Sequence, residues 1–348
     1  MTKIEPTFIP HLHRLSLPTP FPCGPINVYL AEGDPLTLVD TGPRTDQTWA
    51  ALEQGLAELG YTVADIQRVI LTHAHVDHFG LAARIARAGG ATVLALALNR
   101  NRLEGFGMED RERIGFYEAV LRHGGVPEEI ITGRDAVGAT IGGLIQYAEA
   151  VPGVTPLADG DMVHMAGRDW LVLYTPGHAI GHLCLYQPET HLLLSGDHLI
   201  QHISSNPVIE PPAPGATQRP RSLVLYLESL RRVADLDVHM ALPGHGAPIT
   251  DHRALIAERL QHHEARMNRI LAAMDSRACT AYEICQALFP KLSSLDIFLG
   301  LSEVIGHLDI LVDRGLVVED GDDGVTLYRL SGSASQSLSS GRKRGSRF

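Results

Sequence analysis

The chain has 348 residues, of which 45% are hydrophobic and 20% charged, with a net charge of -11. That length exceeds one compact core, so two domains are expected. No run nears eighteen apolar residues, which excludes a membrane-spanning helix, and the acidic balance disfavours a general nucleic-acid binder, whose affinity comes from Lys and Arg neutralising phosphates. Four scattered cysteines (Cys23, Cys184, Cys279, Cys285) make no disulfide framework, and prolines interrupt the stretch where a secretory apolar segment would lie. A reducing cytoplasm is the expected location.

In chain order, residues 26–40 read as two strands joined by the turn Gly33-Asp34-Pro35. A helix over 45–59 ends at Gly60, and the buried strand 68–72 runs directly into histidines. A helix near 79–88 and a strand at 92–98 follow. Residues 99–150 read as a helical insertion, broken at Gly124-Gly125 and Pro127. It is too long to be a plain connection, and it is expected to cover the site with Phe106, Met108 and Phe116 against an apolar group. Residues 162–176 form a second hairpin turning at Gly167-Arg168-Asp169; 183–187, 192–197 and 239–244 are strands, and 221–236 is an amphipathic helix. Strands clustered between helices give an α/β class with two mixed sheets. From Asp251 the pattern changes to a long helix ending near 275, helices at 280–289 and 300–315, and a hairpin within 316–330. The expected organisation is a domain over 1–250, a module over 251–330 that resembles a winged helix, and a Ser/Gly-rich tail over 331–348.

Among the 18 histidines, one group dominates: Thr72-His73-Ala74-His75-Val76-Asp77-His78, at the end of a buried strand. His73, His75, Asp77 and His78 cannot all be buried without a cation to take their lone pairs. Imidazole and carboxylate donors suit zinc above all, with iron and manganese open. His73 and His75 alternate to one side of an extended segment, and Asp77 and His78 follow where a helix begins, so the donors can diverge toward two ions. His178, Asp197 and His245 each follow a predicted strand through a glycine (Gly177, Gly196, Gly244), which lets the backbone turn sharply and project the donor. His182 and His198 stand between functional and structural readings. The remaining histidines, among them His262, His263 and His307, read as surface or core, and Cys279 and Cys285 as packed helix residues.

Taken together, Val39-Asp40-Thr41-Gly42, the run Thr72 to His78, Thr175-Pro176-Gly177-His178 with Gly181-His182, Ser195-Gly196-Asp197-His198 and Pro243-Gly244-His245-Gly246 resemble the metallo-β-lactamase-fold hydrolases over residues 26 to about 250. The resemblance implies an αββα sandwich. It implies one metal held by His73, His75 and His178, a second by Asp77, His78 and His245, Asp197 bridging them, and Asp40 orienting the ligand loop. Two Zn2+ ions about 3.5 to 4 Å apart would bridge a hydroxide, with Asp77 handling the proton. No GxSxG elbow or Gly-rich phosphate or dinucleotide loop competes. The C-terminal pattern narrows the likeness to a branch that includes a mitochondrial β-lactamase-like endoribonuclease.

The expected activity is hydrolysis of a small ester, thioester, lactone or lactam. An endoribonuclease or phosphodiesterase is the alternative, a mononuclear-iron persulfide dioxygenase a third reading, and a DNA-binding regulator a fourth. Residues 251–330 hold 8 Lys plus Arg against 13 Asp plus Glu, and the hairpin tip carries Glu319, Asp320, Asp322 and Asp323, which repel a phosphate backbone. Duplex DNA is therefore not expected as a partner; the apolar face of Ile305, Leu308, Ile310 and Leu311 is expected to pack against the catalytic domain or against a second subunit, and RNA and a homodimer stay open. The basic residues Arg342, Lys343, Arg344 and Arg347 pull the other way.

Overall fold

The computed structural model describes residues 3–6, 9–133, 137–202, 204–205, 207–213, 215–274, 277–292, 294–322 and 324–332. Asp323 and the basic tail residues lie outside them. Seven strands form the first sheet in sequence order: β1 (Lys3–Pro6), β2 (Leu12–Leu17), β3 (Ile26–Ala31), β4 (Thr37–Val39), β5 (Arg68–Ile70), β6 (Thr92–Leu96) and β7 (Thr155–Leu157). Pairing is antiparallel from β1 to β4 and parallel from β4 to β7. The second sheet has the order β12-β11-β10-β9-β8, from β8 (Met162–Met165), β9 (Arg168–Tyr174), β10 (Leu183–Gln187), β11 (Leu192–Gly196) and β12 (Met240–Pro243). Its β11–β12 pair alone is parallel. Two mixed sheets are thus present, as the strand spacing predicts.

Alternation along the strands builds two cores, because successive side chains point to opposite faces. In β3, Tyr29 and Ala31 join Val39, Ile70, Trp170, Leu185 and Leu194 between the two sheets. Val28 and Leu30 turn the other way, to Leu38, Val69, Leu52, Leu56 and Ile85 under the helices Asp46–Glu58 and Ala82–Gly89. Thr45 starts the first of these by accepting the Thr48 N–H, with Asp46 in the first turn. On the far side, Ser229 and Arg232 of the helix Ser222–Ala234 donate to the carbonyls of Pro176 and Tyr174 beyond β9.

Several elements differ from expectation. β1, β2 and β7 were not expected: prolines at 6, 10, 18 and 156 mask short strands at or near the sheet edge. The hairpin turns one residue early, at Ala166 and Gly167, both with positive φ. Phe106 is buried and packs edge-on to Phe79, 5.0 Å between ring centres. It fills the core instead of facing a substrate.

The chain divides into two compact units. One contains residues 1–111, 142–205 and 228–256; the other contains 112–141, 206–227 and 257–348. The expected insertion is therefore split between them. In the second unit, the helix His252–Ala273 from residue 257 onward and the helices Ala281–Leu288 and Ser294–Asp313 accompany a sheet of order β13-β15-β14, from β13 (Cys279–Thr280), β14 (Val317–Asp322) and β15 (Val325–Leu330). Thr280 and Glu283 form a reciprocal capping box that opens the middle helix. Cys279 is buried in β13 rather than in a helix.

Candidate metal centre

All the donors expected from the sequence lie in the first unit, in loops that follow strands and, for Asp77 and His78, in the short helix Val76–Phe79 beyond β5. Asp40 follows β4 with φ 58°, a left-handed conformation that aspartate tolerates better than most residues. Its Oδ1 accepts the Thr72 N–H at 2.9 Å, and its Oδ2 accepts the Thr72 hydroxyl at 2.8 Å and the His78 Nδ1–H at 2.8 Å. One carboxylate thus fixes both ends of the loop that carries His73, His75, Asp77 and His78.

These bonds set the tautomers. With Nδ1–H committed to Asp40, His78 presents a bare Nε2. The Thr72 hydroxyl donates to Asp40 and so accepts from His73 Nδ1, 3.0 Å away, leaving His73 Nε2 bare. His245 Nδ1 donates to the Pro25 carbonyl at 2.9 Å, again leaving Nε2 toward the site. His182 Nδ1 pairs with Thr175 Oγ1 at 2.8 Å, while its Nε2 accepts the Asp197 backbone N–H at 3.1 Å. Two glycines permit the close approach. A Cβ on Gly196 would lie 2.7 Å from His182 Nε2, and one on Gly244 would lie 2.4 Å from Asp197 Oδ1; either clash would push the donors apart.

The seven donors converge in two sets. His75 Nδ1 lies 2.9 Å from His73 Nε2 and 3.0 Å from His178 Nε2. His245 Nε2 lies 3.3 Å from Asp77 Oδ2, and His78 Nε2 lies 4.0 Å from the same oxygen. Asp197 stands between the sets: Oδ2 is 3.6 Å from His178 Nε2 and 3.7 Å from His245 Nε2, and Oδ1 is 3.4 Å from His78 Nε2. His73, His78, Asp197 and His245 are buried; His75, Asp77 and His178 are partly exposed, so the site opens on their side.

The donor set fits bound metal on its own chemistry. His78 Nε2, Asp197 Oδ1 and His245 Nε2 are buried without a hydrogen-bond partner, a costly state unless a cation takes their lone pairs. Charge points the same way. Burial opposes it, yet Asp197, Asp40 and Asp77 hold His78 well above its ordinary range, and Asp197 with Asp77 lifts His245 to about 10. Burial and the neighbouring imidazoles push His73 well below its range. The carboxylates thus call for positive charge that protons supply when no ion does, and ion binding would release those protons.

Sequence reading missed Cys23, whose Sγ lies 3.9 Å from Asp77 Oδ2; nothing local in Phe21-Pro22-Cys23-Gly24 marks it. His198, which the sequence leaves between functional and structural readings, is wholly buried with its ring centre 6.1 Å from that of His182.

Residues 21–245 match the family model "Metallo-beta-lactamase superfamily", and residues 267–331 match "Metallo-beta-lactamase-like, C-terminal domain". The probable metallo-hydrolase YqjP of Bacillus subtilis is 36% identical over 321 residues, 90% of this chain and 93% of its own. Among solved structures, the metallo-beta-lactamase family protein TTHA1429 of Thermus thermophilus is 32% identical with a TM-score of 0.78, covering 93% of this chain and 100% of that one. A beta-lactamase domain protein of Burkholderia ambifaria is 28% identical with a TM-score of 0.75, covering 95% and 93%. A family match over most of the chain, the strand-end donor array and a full-length relative together make this chain a member of the metallo-beta-lactamase superfamily.

Proposed function

We propose that this protein is a binuclear zinc hydrolase acting on a small ester, thioester, lactone or lactam, with His73, His75 and His178 holding one ion, Asp77, His78 and His245 the other, and Asp197 shared. Superfamily membership makes it a metal-dependent hydrolase; the number and identity of the ions, their ligands and the substrate class are what the proposal adds. The observation that carries it is the set of buried atoms without a hydrogen-bond partner, His78 Nε2, Asp197 Oδ1 and His245 Nε2, brought together from the short helix Val76–Phe79 and from two strand ends. When bound, the ions supply Lewis-acid chemistry, making a water nucleophilic near neutral pH and polarising the oxygen of the bond to be broken.

The chain's own residues do the rest. Asp40 holds the His78 and Thr72 groups so that bare ring nitrogens, not N–H groups, face the centre. Asp77 is the proton carrier. Burial works against its ionisation, but His78 and His245 beside it hold the carboxyl at about 2; that makes it a weak base, so its part is to accept a hydrogen bond from the attacking water and relay the proton onward to the leaving group rather than to hold it. The acidic net charge, and carboxylates at Glu319 and Asp320 on β14, support a small substrate over a polynucleotide. The order helix, short strand, two helices, hairpin in the second unit supports a winged-helix module.

Elemental analysis of the purified protein, paired with a panel of ester, thioester, lactone, lactam and RNA substrates, tests this reading. Two zinc ions per chain and turnover of a small acyl substrate are expected. A single iron with oxygen-dependent sulfur oxidation would overturn it, and cleavage of RNA alone would replace the substrate class.

A further inference from the structure

Cys23 lies in the segment between β2 and β3 that also orients His245. Thr19 Oγ1 donates to the Gly24 carbonyl at 2.6 Å and accepts from the Phe21 N–H at 3.3 Å, and Gly24 N–H closes a turn on the Phe21 carbonyl at 3.1 Å. Two residues after Cys23, the Pro25 carbonyl accepts from His245 Nδ1. One short loop therefore fixes both the thiol and the imidazole opposite it.

Cys23 Sγ lies 3.9 Å from both Asp77 Oδ2 and the Gly24 carbonyl, long for any hydrogen bond. The Sγ to Asp77 Oδ2 distance lies just above the spacing of two donors on one ion, within reach of a small shift of the thiol. With metal–donor bonds of about 2.0 to 2.3 Å, two donors on one tetrahedral ion stand roughly 3.3 to 3.8 Å apart. The His245 Nε2 to Asp77 Oδ2 separation is 3.3 Å, and Cys23 Sγ, Asp77 and His245 place one donor atom each within 4.8 Å of one another. Independently, His245 Nε2 is buried, without a hydrogen-bond partner, and directed at this point; the His245 side chain is only 2% exposed.

We propose that Cys23 is a sulfur donor to the ion held by Asp77, His78 and His245, and that it biases this position toward thiophilic cations such as zinc, cobalt and cadmium over manganese. The inference rests on the binuclear reading above. As the ion binds, the S–H proton leaves to solvent and the thiolate sulfur donates an electron pair to the metal; no redox change is involved. Softness of the ligand sets the preference, since thiolate favours zinc-like ions whereas carboxylate and imidazole alone discriminate less.

The test uses the full-length chain reloaded with cobalt after chelation. Wild type should bind two cobalt ions per chain and show a sulfur-to-cobalt charge-transfer band in the near ultraviolet, which Cys23→Ser should abolish while still binding cobalt. Two cobalt ions without the band overturn the sulfur donor and leave the binuclear reading standing. A band that survives in Cys23→Ser overturns it as well, by placing the sulfur elsewhere. Failure to bind any cobalt overturns both. Alkylation gives a second readout: Cys23 is half-buried while Cys184, Cys279 and Cys285 are buried, so zinc should slow iodoacetamide labelling of Cys23 at least about tenfold relative to the chelated protein. Equal labelling with and without zinc would count against the ligand.

Discussion

His73, His75 and His178 meet at strand ends, whereas His263 and His307 meet between the helices His252–Ala273 and Ser294–Asp313; both groups are largely buried. Distance alone does not separate them, because His263, Glu303 and His307 also place donor atoms within 4.8 Å of one another. Charge does, although His263 Nε2 is also buried without a hydrogen-bond partner. His263 Nδ1 donates to His307 Nε2 at 3.1 Å, and His307 Nδ1 donates to the Glu303 carbonyl at 2.6 Å, so the proton chain ends on a neutral acceptor. The Glu303 carboxylate is neutralised by Arg266, whose Nε lies 3.1 Å away. At the strand ends, Asp40, Asp77 and Asp197 leave negative charge to be matched, and bare ring nitrogens face one another. What sets the strand-end cluster apart as a candidate metal site is surplus carboxylate, not proximity or a bare ring nitrogen alone.

The comparison breaks most visibly at Asp197. Replacing it with alanine removes the carboxylate shared by both donor sets, and elemental analysis should find at least one ion lost per chain, with hydrolysis reduced at least about 100-fold; retention of both ions would dissolve the distinction drawn here. Asp40→Asn is the next largest. It keeps the shape but withdraws the negative charge that holds His78 Nδ1–H, and metal affinity measured by competition with a chelator should fall about 10- to 100-fold.

The helix pair should respond in stability alone. His307→Leu strands the His263 Nδ1 donor and should cost about 1 to 3 kcal/mol by denaturant unfolding, with metal content unchanged; the double replacement by leucine should recover much of that loss. A drop in bound metal in either variant would show that this pair is also a ligand set. Acid titration sharpens the point. Burial depresses both imidazoles, His263 and His307, to about 4, so between the unfolded value near 6.5 and about 4 the unfolded chain binds more protons. Stability should therefore decline as pH falls through that window, by about 1.4 kcal/mol per pH unit for each histidine that titrates independently. The double leucine variant should decline less steeply over the same window.

The strand-end donors were legible because each signal is local. Thr72 to His78 holds four donors within seven residues, and His178, Asp197 and His245 each stand just past a strand behind a glycine, demanded by close packing at Gly196 and Gly244 and favoured by a φ of 139° at Gly177. Cys23 was not, because its relation to Asp77 spans 54 positions and depends on the β2–β3 loop folding back. β1 and β2 escaped for a similar reason: Leu12-His13-Arg14-Leu15 does not alternate cleanly, and His13 is accommodated only by Glu32, which accepts from it at 2.9 Å across the β2–β3 pair. The fate of Phe106 likewise rests on Phe79, which no periodicity connects to it.

The chain passes between its two compact units after Arg111, Ile141, Ser205, Leu227 and Ile256. During synthesis this ordering matters. Segments 112–141 and 206–227 emerge before residues 257–332, which supply their packing partners: Tyr117 meets Phe298 at 4.9 Å between ring centres, Gly125 abuts Thr280, and Leu223 abuts Gly306. Until those partners arrive, apolar residues such as Tyr117, Leu121 and Leu223 have nothing to bury them, and the nascent chain offers sticky loops to chaperones and proteases. A chain stopped at residue 256 would therefore not be a trimmed enzyme but a protease-sensitive one, cut first within those two segments.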